Sequence, residues 1–397
     1  MTPRRLLAGL AFAAFISLGL PDGLLGVAWP SIRRTFDLPL SQLGSLLALI
    51  MAGYLSSSFL SGTLVGRWGV GRLLLWSNVT MVVSCVGYAL APHWGVMLVC
   101  GLLAGLGAGA IDAGINAYTA AHFPPRVMSW LHGSWGLGAA LGPLVMTTVL
   151  TAGLAWRWGY AVVAVALAAM ALAFARTRDW WDAAAAVRSA APVVPPAMAG
   201  IGETLARPAV WLHLAFFFLY TGLEASAGQW AYSILTEARG RAPASAGIWV
   251  GAYWGSLTLG RFACGLIAPR VSTDALLRLC TLVAPLGAGL FWFGRGAPAL
   301  AGLCLLGFIL APIFPLTISA TPGRLGSGFA AHAIGFQVSA ACVGGAALPA
   351  AGGLIARRYG LEAITTFQLA VALVLLVLHE GVLAAGARGK LATGNDR

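Results

Sequence analysis

Three carboxylates in this chain stand inside long apolar stretches, where an acid has to be useful to be kept. Asp112 lies within GLLAGLGAGAIDAGINAY, residues 101–118, and Asn116 follows it by four residues. Four residues is one helical turn, so the acid and the amide share a face. A charged aspartate at mid-bilayer costs about 2.5–3.5 kcal/mol even on insertion scales, so it is expected to face a polar cavity and exchange a proton there. The alternative is a protonated side chain gluing two helices together. Asp22, in GLPDG from Gly19, and Glu224, one turn after Tyr220 and one turn before Gly228, are its companions. Proton coupling is therefore assigned to Asp112, Asp22 and Glu224.

The elements that position these acids follow from composition. Of 397 residues, 59% are hydrophobic and 9% charged, against roughly 25% charged in soluble domains. The apolar runs approach 20 residues rather than alternating over about ten, which selects helices over a barrel. Twelve spans are predicted, at 6–30, 42–65, 73–91, 94–118, 131–154, 157–175, 210–235, 244–268, 275–294, 297–319, 330–355 and 361–385. A polar stretch, 176–207, with Pro192, Pro195 and Pro196, divides them six and six. Residues 1–175 and 208–397 are the two expected bundles, with 176–207 as a cytoplasmic linker. Gly101, Gly105 and Gly109 form a small-residue stripe that lets another helix approach closely.

The net charge of +12 belongs to loop bases, so it encodes orientation and implies no nucleic-acid partner. With both termini on one side, the opposite loops hold eight bases: Arg33, Arg34, Arg157, Arg239, Arg241, Arg295, Arg357 and Arg358. The terminal side holds fifteen, Arg188 and Arg397 among them, and Arg261 falls inside a span. Both termini are thus expected in the cytoplasm, in a multi-pass bacterial-type inner membrane. The halves also echo one another at about 202 residues, with Asp22 falling on Glu224. Parallel repeats around a midplane site are expected of secondary transporters. Asp22, flanked by Pro21 and Gly23, is expected at a break in its helix.

Other side chains are assigned by their chemistry. A small neutral solute needs polar groups and aromatic faces, supplied by Asn116, Tyr118, His132 and Trp135 in the first half. Tyr220, Gln229, Trp230, Tyr253, Trp254 and Gln337 are the candidates in the second. Gln229 and Trp230 leave the Glu224 face of a regular helix, so they join it only if that helix breaks near Gly228. Trp and Tyr also populate interfacial belts. Arg261 has three readings: an ion pair with Glu224, snorkelling towards an interface, and a gate or substrate contact. Enzyme chemistry has no footing here, with no nucleophile and base at a working spacing, no phosphate loop and no metal cluster. No cofactor is expected beyond a coupling ion, a proton or alternatively Na⁺.

On these residues the chain resembles the major facilitator superfamily over nearly its whole length. The loop from Gly62 to Arg72 is similar to the G-x-L-x-D-R-x-G-R signature between the second and third helices, keeping Gly62, Leu64, Arg67 and Gly69. It departs at the acidic position, Gly66, and at the following basic one, Val70, so the gate that the signature implies at Gly62 and Arg67 lacks its acid. Asp22, and Asp112 with Asn116, resemble the sugar–proton symporter branch that includes the L-fucose permease. LHGSWGLGAALGP from Leu131 and YTGLEASAGQWAY from Tyr220 support the same branch. The resemblance implies an all-α membrane protein, with twelve transmembrane helices in two pseudo-symmetric six-helix bundles. It further implies alternating access and proton-coupled import of a sugar or similar small neutral solute across a lipid bilayer; a monomer is expected, since nothing in the sequence argues for an oligomer. A proton-coupled exporter of drugs or metabolites is the alternative, from the partial antiporter signature at Gly138, Gly142 and Pro143.

Overall fold

The computed structural model describes residues 3–123, 125–186, 199–268 and 270–394. Six helices come first: α1 (Pro3–Thr35), α2 (Gln42–Trp68), α3 (Val70–Leu90), α4 (Trp94–His122), α5 (Pro125–Thr151) and α6 (Arg157–Ala186). After the short α7 (Ile201–Leu205) come α8 (Pro208–Ser233), α9 (Pro243–Ile267), α10 (Thr273–Phe293), α11 (Ala297–Leu310), α12 (Ile313–Leu325), α13 (Ser327–Tyr359) and α14 (Ala363–Gly394). No strand occurs among the described residues. The end of the bundle where α1 begins is called proximal below, and the other end distal.

Eleven helical stretches of the described residues are long and apolar enough to cross a membrane. The eighth predicted span, α9, is a helix of 25 residues outside that set. Its glycines, Trp249, Trp254 and Arg261 dilute its apolarity, and it is wedged between α5 and α11. The tenth span is two helices, α11 and α12, because Pro312 brings no N–H to a continuing ladder. The polar stretch from 176 begins inside α6, which runs on to Ala186; Arg188, Pro192, Pro195, Pro196 and Arg397 lie outside the described residues.

The break expected at Asp22 is absent, and the one that would bring Gln229 and Trp230 onto the Glu224 face does not occur. Helix α1 is continuous through Pro21 and Gly23, a tolerance that close neighbouring helices give to proline in membrane proteins. Helix α8 is likewise continuous past Gly228 and ends in a π turn, Ile234–Ala238.

Backbone contact at glycine sets the helix pairs. A Cβ at Gly105 of α4 would run into the Ile50 carbonyl of α2, and one at Gly138 of α5 into the Ile16 carbonyl of α1. The second half repeats the first of these pairs: a Cβ at Gly307 of α11 would lie 2.7 Å from the Tyr253 carbonyl of α9. Gly138 belongs to the antiporter-like signature, whose glycines here serve close packing of α5 on α1.

Candidate functional site

Because α4 lies so close to α2, Tyr54 of α2 reaches the acid of α4. Its Oη donates to Asp112 Oδ2 at 2.7 Å, with Asp112 half-buried. One turn on, Asn116 Oδ1 is buried with no hydrogen-bond partner among the described residues. The close packing of α5 on α1 has a parallel effect, since Trp135 Nε1 donates to Asp22 Oδ2 at 3.2 Å. Asp22 remains exposed midway along a helix that is otherwise buried from Gly23 to Pro30, so it faces an open cleft.

The second half presents its own acid. Tyr220 Oη donates to Glu224 Oε2 at 2.6 Å, and Tyr253 Oη donates to the Glu224 carbonyl at 2.8 Å. Arg261 of α9 stands 3.6 Å from Glu224 Oε1, with side-chain exposures of 15% and 8%. The same guanidinium donates to the His132 carbonyl at 3.4 Å and lies 5.2 Å from the Trp135 ring centre. Trp135 meets Trp254 edge-on at 5.8 Å, and Trp254 meets Tyr253 at 5.2 Å. His132 lies two turns into α5, edge-on to Phe15 at 5.5 Å.

A continuous polar path therefore runs from Asp22 through Trp135 and Arg261 to Glu224 and Tyr220, crossing from α1 and α5 to α8 and α9. The three carboxylates, of which Glu224 alone is within ion-pair distance of Arg261 among the described residues, outnumber that guanidinium, so the group is net acidic when all are ionised. Such a site favours neutral, donor-rich ligands and repels anions.

Other sequence candidates are placed elsewhere. Tyr118 is buried, stacked on His122 at 4.3 Å and edge-on to Trp181 at 4.8 Å. Trp230 is wholly buried and donates its indole N–H to the Pro349 carbonyl at 2.9 Å. Gln337 accepts from Thr321 Oγ1 at 3.0 Å and meets His213 Nδ1 at 3.2 Å, within α8, α12 and α13. Gln229 turns onto α1, donating to the Asp22 carbonyl at 3.4 Å. Gly62 and Arg67 are exposed at the proximal end of α2.

Two participants escaped the sequence reading. Tyr54 sits in an apolar run, and only its one-residue step from the Gly53, Ser57 and Ser61 series marks that face as polar. The other is an ion pair at the distal end, Arg33 Nη2 to Glu237 Oε2 at 2.6 Å, linking α1 to the π turn after α8. Nearby, a Cβ on Gly26 would lie 2.9 Å from the Gln229 carbonyl, and one on Gly353 would lie 3.2 Å from the Leu40 carbonyl. The two sets of helices are thus in contact distally.

Loss of the Arg33–Glu237 pair is expected to loosen that end. The pair is about a quarter exposed, so it is worth at most about 1 kcal/mol, or roughly a fivefold population shift. Arg33→Ala should raise the rate at which a distal maleimide labels a cysteine introduced at Gln229, and the exchange Arg33→Glu with Glu237→Arg should lower it again. Equal labelling in all three proteins would exclude a latch here.

A helical membrane protein with acids and aromatics shared between two sets of spans has the organisation of a secondary transporter. The chain belongs to the Major Facilitator Superfamily, whose sequence profile matches residues 8–349. Its members are transporters and not enzymes, in line with the residue types of the sequence. The chain is 21% identical over 319 residues to the glucose/mannose transporter GlcP of Bacillus subtilis, covering 78% of each chain. It is 25% identical over 319 residues to the 3-(3-hydroxy-phenyl)propionate transporter of Escherichia coli, covering 77% of this chain and 78% of that one. Among solved structures, the nucleoside transporter NupG superposes with a TM-score of 0.71 at 16% identity, over 97% of this chain and 99% of that one. That likeness concerns the fold.

Proposed function

We propose that the protein imports a sugar or similar small neutral solute with protons, by alternating access of one cleft to the two sides of a bacterial-type cytoplasmic membrane. The observation that carries the reading is Asp112, a carboxylate within the membrane-spanning part of α4 held by Tyr54 of α2, with the Oδ1 of Asn116, buried and unpartnered among the described residues, one turn on. A carboxylate there takes a proton when the cleft faces outward, and neutralisation removes the cost of carrying charge through a closed, dry barrier. One proton descending about 100 mV supplies about 2.3 kcal/mol, or about fiftyfold accumulation. The three-to-one excess of carboxylates disfavours anionic substrates, and sugar hydroxyls match the carboxylate oxygens of Asp22 and Asp112. The naming of GlcP for glucose and mannose supports the class. The excess of bases on the terminal side supports cytoplasmic termini, so the distal end faces outward.

The test is external pH in a lightly buffered suspension of deenergised cells or proteoliposomes as monosaccharides are added. One sugar is expected to cause alkalinisation outside, and Asp112→Asn to abolish it while leaving sugar exchange intact. Uptake that survives a proton ionophore and requires sodium would replace the proton with Na⁺. Silence with every sugar, together with drug sensitivity in cells lacking the protein, would reverse the direction of transport.

A further inference from the structure

At the distal end of the second half is a cavity that the transport reading leaves unused. It measures about 320 Å³ and is bounded by Arg239, Arg241 and Arg295, with Gly294, Gly296 and Ala299 beside them. Arg239 is only 8% exposed, and its Nε and Nη2 hold the Glu362 carboxylate at 2.7 and 2.9 Å. The remaining nitrogen, Nη1, is buried with no hydrogen-bond partner among the described residues, and the guanidinium carbon lies 4.8 Å from the Phe291 ring centre. A buried donor left unmade is costly, and more so on a charged group.

The surroundings indicate the chemistry of a partner suited to that donor. Arg241 reaches Ser245 Oγ at 3.4 Å, a weak contact and the one side-chain hydrogen bond it makes among the described residues. Three arginines line the cavity against one carboxylate paired with them among the described residues, Glu362. Helix α11, 14 residues long, starts at Ala297, between the lining residues Gly296 and Ala299, and adds the partial positive charge of its N-terminus.

We propose that this cavity binds one small oxyanion of the phosphate or sulfate kind, held by Arg239, Arg241 and Arg295. The anion comes either free from solution or as the phosphate of a phospholipid headgroup. Arg239 follows Glu237 by two residues, so an occupant would also brace the segment that meets Arg33 at the distal contact.

The experiment is thermal unfolding of the full-length protein in detergent, at pH 7 and constant ionic strength set with gluconate. Inorganic phosphate, sulfate and short-chain phosphatidylglycerol are titrated in turn. At least one is expected to raise the midpoint saturably, with apparent affinity falling about tenfold or more in Arg241→Gln and in Arg295→Gln. Arg295→Lys should keep part of the effect. Response to the free ions identifies a soluble anion; response to phosphatidylglycerol alone identifies a lipid headgroup. No saturable shift with any of the three, or shifts unchanged in both glutamine variants, would overturn the proposal.

Discussion

Glu224→Ala is expected to destabilise the protein by about 3 kcal/mol and to stop transport. Removing one partner of a buried ion pair leaves an uncompensated charge, at a cost of about 3–5 kcal/mol. The 3.6 Å separation and the 15% exposure of Arg261 place this pair at the lower end. Tyr220 loses the acceptor of its 2.6 Å hydrogen bond at the same time. The double variant Glu224→Ala with Arg261→Ala should recover most of the stability, because no charge is stranded, yet should remain inactive. Thermal unfolding of the four members of this cycle, beside solute uptake by each, measures both effects. Additive losses of stability would mean that Arg261 and Glu224 do not sense each other.

Gly105→Leu should be more damaging still. The first atom of any side chain at this position meets the Ile50 carbonyl, part of a helix backbone that has no rotamer to yield. Helices α2 and α4 would have to separate, at or beyond the upper end of the ~1–3 kcal/mol typical of overpacking. Separation also withdraws Tyr54 from Asp112, so the defect is expected to reach function even where protein is still made. Yield and monodispersity after extraction test the first effect. Solute exchange by whatever protein survives tests the second. A well-behaved, active Gly105→Leu protein would show that the approach of these helices is looser than the structure has it.

Much of the architecture was legible because the bilayer leaves so few options. Apolar run length and glycine spacing at Gly101, Gly105 and Gly109 are local quantities that directly encode helices and their close faces. The Glu224–Arg261 pair was legible for a similar reason, since opposite charges in adjacent spans have few other places to go. What sequence could not reach was side-chain direction across long separations. Tyr54 and Asp112 are 58 residues apart, and nothing local distinguishes this tyrosine from one at an interface. Trp135 and Trp230 look equally available in sequence. Yet the first bridges Asp22 and Arg261, while the second spends its N–H on Pro349 inside a helix pair. Helix α8 keeps its regular course past Gly228, so Gln229 and Trp230 stay off the Glu224 face, as helical geometry requires.

The seam between α5 and α9 has a mechanical consequence. Gly136 and Gly133 of α5 receive Thr258 and Phe262 of α9, while Gly247 of α9 receives Thr147 of α5. Each helix is therefore both socket and peg, towards opposite ends of the same contact. A joint dovetailed in both directions resists sliding along its length, because every peg would have to climb out of its socket together. It offers far less resistance to a small tilt. Whatever rearrangement carries solute through the cleft, the register of these two helices is the part of the machine expected to stay fixed.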